Sequence, residues 1–319
     1  VTSPSLTDVH AHFLTGHYVE AAVAAGHTTP DGMPAWPRWS ADQHLSLMDA
    51  TGIGRSLLSV SSPGVHFGDD AAARELARHV NDAAAEIVEA RPDRFGHLVA
   101  LPLPDVGAAV AEARRGLDEL GADGVLLPSN AAGLYPGDRA LDPLFDELDA
   151  RGALVLVHPS APPHADAVSR GRPLPMIEFL FDAARSAVDL VLADRIGRHP
   201  RIRWVLTHGG GVLPLLTARV NLFSLFDPQA PRQDVATALA GCWFDCAGTP
   251  LPVQLPAIAA TVGGARLVYG SDHCFTPAPA VEAQIASLAA PGPTGTWRDH
   301  LATNTRALLH DDERNHRDR

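Results

Sequence analysis

The sequence predicts an α/β protein, a single (β/α)8 TIM barrel over residues 1–310, and three observations carry that prediction. Eight short apolar runs rich in β-branched residues or leucine recur along the chain. A segment of helical periodicity follows each run. The length of 319 residues is about usual for this fold. A doubly wound open sheet would need a glycine-rich phosphate turn after its first strand, and the sequence has none there.

Taken in order, strands are expected at Leu6–Val9, Arg55–Val60, Phe95–Leu101, Gly124–Leu127, Ala153–Val157, Ile202–Thr207, Cys242–Cys246 and Leu267–Tyr269. Helix Ala41–Ala50 precedes the second strand. Asp70–Ala90 follows it, with Leu76, Val80, Ile87 and Val88 at helical spacing before Arg91-Pro92 stops the helix. Helices at Val106–Leu120, Leu141–Ala150, Phe181–Gly197, Leu213–Phe223, Pro252–Val262 and Ala280–Ala289 follow strands three to eight. The last, Trp297–Leu309, is expected to pack outside the barrel. Two long connections, 13–39 after strand one and 160–175 after strand five, are rich in Pro, Gly and His. In a barrel both would sit over the catalytic mouth as lids. The charged tail at 311–319 is expected to be disordered.

Composition narrows the chemistry. All 25 basic residues are arginine, so lysine Schiff bases, amine nucleophiles and carbamylated lysine are excluded. A formal charge of −12 argues against a nucleic-acid partner. Three cysteines, Cys242, Cys246 and Cys274, cannot all pair within one chain and form no Cys-x-x-Cys motif; free thiols in the cytoplasm are the expectation. The opening residues do not read as a signal peptide, and no apolar window is long enough for a membrane helix.

Sixteen histidines are the compositional oddity. Five groups able to bind a metal or move a proton fall at the C-terminal ends of four predicted strands: His10 and His12, His158, His208 and Asp272. In a barrel these ends converge on one mouth. Residues i and i+2 of a strand face the same side, so both imidazoles of His10-x-His12 can point at one ion. Imidazoles with a carboxylate suit one divalent metal, Zn²⁺ first and Mn²⁺ as an alternative. No organic cofactor is expected. His44, His79, His97, His199, His300, His310 and His316 read as solvated or capping residues. His17, His27, His66 and His164 lie in candidate lid loops where they could touch substrate, and His273 is expected to point away from the metal.

The segments DVHAH at 8–12, VHP at 157–159, THGGG at 207–211 and YGSDHCF at 269–275 resemble the amidohydrolase superfamily, in its branch of metal-dependent, non-oxidative decarboxylases. Members of that branch act on aminocarboxymuconate semialdehyde, γ-resorcylate and 6-methylsalicylate. The similarity extends through residues 79–105, 200–211 and 304–309. The resemblance implies that His10, His12, His158 and Asp272 ligate a single metal, that His208 is the catalytic proton carrier, and that the protein is a homodimer. Arg219 follows His208 at the interval where some members carry a substrate-carboxylate arginine reaching the neighbouring subunit; it reads equally as a helix-surface arginine. Arg38 and Phe275 are further candidates for substrate contact. Binuclear relatives bridge two ions through a carbamylated lysine on strand four, but here that strand runs into Pro128-Ser129-Asn130, which favours one metal.

The expected activity is decarboxylation of an aromatic or unsaturated cyclic carboxylic acid such as an ortho-hydroxybenzoate, with His208 protonating the ring carbon. The alternative is hydrolysis of a lactone or amide, in which Asp272 takes a proton from water and His208 steadies the oxyanion. Ser160-Ala161 and Cys274 depart from residues common in relatives, and they bear on which acid is bound.

Overall fold

The computed structural model describes residues 5–226 and 234–317. Its eight strands are β1 (Leu6–His12), β2 (Ile53–Ser59), β3 (Phe95–Ala100), β4 (Gly124–Pro128), β5 (Leu154–His158), β6 (Arg203–Leu206), β7 (Trp243–Asp245) and β8 (Leu267–Val268). They form one parallel sheet in sequence order. Bridges from Asp8 to Tyr269 and from Ala11 to His273 join its two edges, and the Val9 N–H donates to the Tyr269 carbonyl at 3.0 Å. The (β/α)8 barrel expected from the periodicity is the fold observed.

Two apolar layers hold it together. Val9, Leu57, Leu98, Leu126, Val205 and Val268 fill the barrel interior, joined by Leu308 of the last helix. Leu308 reaches the N-terminal end of the barrel, where its carbonyl accepts from Arg203 of β6 at 2.9 Å. A larger layer packs the outer faces of the strands against the helices. Each fully buried leucine contributes roughly 2 kcal/mol to such layers. Helix starts are capped as their sequences suggest: Asp69 accepts from the Ala72 N–H at 2.7 Å and Asp105 from the Ala108 N–H at 3.0 Å.

The insertions are more ordered than a loop reading implies. Residues 13–39 contain helix Gly16–Ala24, started by Thr15, whose hydroxyl accepts from the Tyr18 N–H, and the turn Pro30–Gly32. Residues 160–175 contain the short helix Ala165–Ser169, and the turn Leu174–Met176 follows Pro173. The Pro30–Gly32 turn packs against Pro173, so the insertions meet. The final helix continues to Arg317, past the expected end at Leu309 and through most of the segment expected to be disordered. Residues 311–317 contain neither Gly nor Pro to stop it, and 318–319 lie outside the described residues.

Tertiary packing also corrects the reading of several histidines. His44, His97 and His300 are buried, not solvated, whereas His199, also buried, caps the short helix Arg195–Arg198 as the capping alternative expects. Most find partners: His44 accepts from the Trp39 indole at 3.1 Å, and His300 donates to the Gly264 carbonyl at 2.7 Å. Neither ring nitrogen of His97 has a hydrogen-bond partner, and burial, with Arg55 adding to it, pushes its pKa down to about 4. His79 is exposed as expected.

Candidate metal centre

The centre starts from β1. His10 and His12 both turn toward the barrel mouth, their Nε2 atoms 3.1 Å apart. The pairing of β1 with β2 shifts register between Asp8 and Ala11. At that shift, Asp8 Oδ1 accepts from the N–H groups of His10 at 3.1 Å and Ser271 at 3.0 Å, tying β1 to the segment after β8. Asp272 follows there, with Oδ1 3.1 Å from His12 Nε2 and 3.6 Å from His10 Nε2. Two ligands held about 2.1 Å from one ion at a tetrahedral angle stand about 3.4 Å apart, so these separations suit a shared ion. His158, ending β5, places its ring centroid 5.0 Å from that of His10 and 4.9 Å from that of His12. Ligand atoms of His10, His158, His208 and Asp272 also lie within 4.8 Å of one another. His12 thus joins His10, His158 and Asp272 at short range, and His208 joins His10, His158 and Asp272.

Partners outside this ring set the proton positions. His10 donates from Nδ1 to Asp245 Oδ2 at 2.7 Å. Ser59 donates its hydroxyl to the Ala11 carbonyl, which leaves its oxygen free to accept from His12 Nδ1 at 3.0 Å. His158 donates from Nδ1 to the Pro159 carbonyl at 2.7 Å. Each Nε2 lone pair is thereby left for the centre. The Nε2 of His158 is buried with no hydrogen-bond partner among the described residues, which fits the lone pair of a metal ligand.

Burial pushes His12 and His208 below the ordinary imidazole value, and His158 well below it, so these rings are neutral at neutral pH. Burial acts the same way on His10, yet Asp245, with Asp272 and Asp8 adding to it, outweighs burial and raises its pKa. Burial would raise the Asp272 pKa, but the His12 hydrogen bond and the nearby imidazoles hold it well below the usual carboxylate range.

Asp245, fully buried at the end of β7, is the residue the strand-end reading missed. Besides His10, it accepts from the backbone N–H groups of His208 at 2.8 Å and Ala247 at 2.9 Å, so one carboxylate orients both His10 and the His208 turn. Its signal in the sequence was its place at the end of the seventh apolar run. Gly270 makes room here, since a Cβ would lie 2.8 Å from His10 Cβ and 2.9 Å from Asp245 Cγ. His208 and Asp272 have left-handed backbones, φ 50° and 59°, an uncommon conformation outside glycine that concentrates at functional sites.

Above the centre lies a cavity of about 550 Å³ lined by His158, His208 and Asp272. Its walls are mainly apolar, with Phe179, Leu180, Ile258 and Phe275 prominent, and Pro30, Asp31 and Met33 of the first insertion border it. Phe275 also sets its ring edge-on to His12 at 5.6 Å. Arg38 and Arg219 are exposed and do not line this cavity. Arg219 lies on helix Leu213–Ser224 with its guanidinium 5.0 Å above the Phe223 ring. His273 turns toward His44. Of the histidines near the mouth, His66 borders a second, smaller cavity that shares His158, whereas His17, His27 and His164 line neither.

An eight-stranded parallel barrel with imidazoles and a carboxylate converging at its C-terminal mouth defines the class: a barrel whose His/Asp cluster is suited to one metal ion. Residues 7–311 match the amidohydrolase family, and the chain belongs to it. It is 34% identical over 321 residues to a 6-methylsalicylic acid decarboxylase of Aspergillus aculeatus, covering 95% of each chain. The solved structure of an amidohydrolase II superposes with a TM-score of 0.89 at 32% identity, covering 96% of this chain and 99% of that one. A dihydroxybenzoic acid decarboxylase of Polaromonas sp. JS666, solved with manganese and the inhibitor 2-nitroresorcinol, shares the fold at a TM-score of 0.83 and 22% identity, covering 98% and 99%. The branch indicated by the sequence motifs is the one to which the decarboxylase relatives belong.

Proposed function

We propose that the protein is a metal-dependent, non-oxidative decarboxylase acting on an aromatic or unsaturated cyclic carboxylic acid, such as an ortho-hydroxybenzoate. The carrying observation is the imidazole and carboxylate set at the floor of a largely apolar cavity, in a chain similar over 95% of its length to a decarboxylase of a hydroxylated aromatic acid. His10, His12, His158 and Asp272 would hold one divalent ion. When bound, the ion supplies Lewis acidity and orients the substrate's carboxylate. The nitrogen-rich donor set favours Zn²⁺; the manganese in the Polaromonas enzyme makes Mn²⁺ the alternative.

His208 carries the proton. Neutral at rest, it first takes a proton from solvent and then delivers it to the ring carbon as the bond to CO₂ breaks and its electron pair stays with the ring, which returns His208 to the neutral form. Asp245 fixes the backbone from which His208 acts. Phe275 and Phe179 hold the flat ring and exclude water, and the two insertions serve as lids over it.

A cytoplasmic homodimer completes the proposal. The three cysteines are free and buried, in keeping with a reducing compartment. Among the described residues no helix is long and apolar enough to cross a membrane. Leu215, Leu225 and Phe226 are 82%, 79% and 76% exposed on and just beyond helix Leu213–Ser224, an apolar face that a second copy would cover. Arg219 on the same helix would then face the partner.

The test is to incubate metal-loaded protein with a panel of ortho-hydroxybenzoates and of lactones, following CO₂ against acid release. CO₂ from at least one ring acid is expected. Acid release without CO₂ across the panel would replace this reading with the hydrolase.

A further inference from the structure

Asp31 stands out among the residues around the cavity. Seven described non-glycine residues have a left-handed backbone, and three of them line this one cavity: His208 and Asp272 at the reacting end, and Asp31, φ 50°, in the first insertion. Strain of this kind persists where the surrounding structure over-determines it, and it gathers at functional positions. The Asp31 turn is held from outside by Pro173 of the second insertion.

Its chemistry is equally out of place. Asp31 and Asp272 are the two carboxylates lining the cavity, and no arginine lines it. Asp31 makes no ion pair among the described residues. Burial pushes its carboxyl up to about 6, while a hydrogen bond from the Ser62 hydroxyl pulls the other way. A half-buried carboxylate beside apolar walls is costly unless a donor meets it. The neighbouring Tyr18 hydroxyl is engaged elsewhere, donating to the Gly64 carbonyl at 2.9 Å. Ser62 serves one of the carboxylate's several acceptor sites, and a donor brought by the ligand is what the side facing the cavity can still take.

We propose that Asp31 is a specificity-determining residue: its carboxylate accepts a hydrogen bond from a ring hydroxyl of the substrate and disfavours a second carboxylate on the ring. This deepens the decarboxylase reading and rests on it for the ligand class. The centre on the strand ends takes the single carboxylate, the walls take the ring, and the insertion above reads the hydroxyl pattern. Substrates are therefore monocarboxylic hydroxyarenes rather than dicarboxylic acids.

The backbone decides which variants are informative. Asp31→Ala or Asp31→Leu would confound loss of the carboxylate with strain at positive φ, whereas Asp31→Gly keeps the turn and removes the group, and Asp31→Asn keeps an acceptor without the charge. The probes are benzoate, 2-hydroxybenzoate, the 2,4-, 2,5- and 2,6-dihydroxybenzoates and benzene-1,3-dicarboxylate. Dissociation constants are measured by calorimetry on metal-loaded protein, with CO₂ release followed in parallel. In the wild-type protein one hydroxyl position is expected to strengthen binding. Asp31→Gly should weaken that ligand about tenfold or more, as expected for losing a hydrogen bond to a charged group, and leave benzoate within about twofold. Asp31→Asn should retain most of the hydroxyl preference and bind the dicarboxylate more tightly than wild type. Equal weakening of benzoate and every hydroxybenzoate, or an unchanged hydroxyl preference in Asp31→Gly, would overturn the assignment. If no ring acid loses CO₂, the decarboxylase reading fails, and the binding comparison still judges Asp31.

Discussion

Replacing Asp245 by asparagine isolates what one buried carboxylate does for the centre. Its Oδ1 serves two backbone donors, His208 at 2.8 Å and Ala247 at 2.9 Å, and its Oδ2 serves His10 Nδ1 at 2.7 Å. An amide cannot accept on both sides. If the amide oxygen stays with the backbone donors, the NH₂ group faces His10 Nδ1 and moves the ring proton to Nε2, the atom turned toward the metal. If the amide turns over, two buried N–H groups lose their acceptor at about 1–3 kcal/mol each. The first arrangement costs the fold less, so the loss falls on the metal. Removing such an orienting partner lowers metal affinity about 10- to 100-fold, equivalent to about 1.4–2.8 kcal/mol. Competition with a chromophoric chelator reads the affinity, and circular dichroism verifies the fold. A folded Asp245→Asn protein that binds metal within about twofold of wild type would refute the reasoning, because His10 would then ligate without the tautomer that Asp245 imposes.

Two further outcomes follow from the same geometry. His12→Ala should lose most bound metal, at least about tenfold in affinity, whereas His208→Ala should retain metal and lose CO₂ release; metal analysis of both proteins decides it, and metal loss in the second would move His208 into the ligand set. His97 gives a pH dependence: the unfolded chain takes up its proton near 6.5, but the folded protein resists until about 4. Stability present above pH 6.5 is therefore lost as the pH falls toward 4, by about 3 kcal/mol from this group. Urea melts at pH 7 and pH 4 should show a smaller acid loss in His97→Leu, and equal losses in the two proteins would contradict the assignment.

Much of the centre was legible because its signals are local. A strand places residues i and i+2 on one side, and a parallel barrel gathers strand ends, so His10, His12, His158, His208 and Asp272 could be assembled from position alone. The absence of lysine was equally readable and bears on a one-metal centre. Arg38 and Arg219 were not placeable in this way, since an arginine on an insertion or helix can turn inward or outward, and only packing shows that both face out.

The sequence by itself determined the order of strands and helices and the chemical type of the centre, because periodicity and strand-end position are properties of neighbouring residues. Tertiary structure decided what those residues experience. Asp245 meets His10 across 235 positions, Ser59 meets His12 across 47, and the ring nitrogens of His97 are buried without a hydrogen-bond partner among the described residues. Tautomer, pKa and cavity shape depend on contacts between distant segments, and such contacts exist only once the barrel has closed.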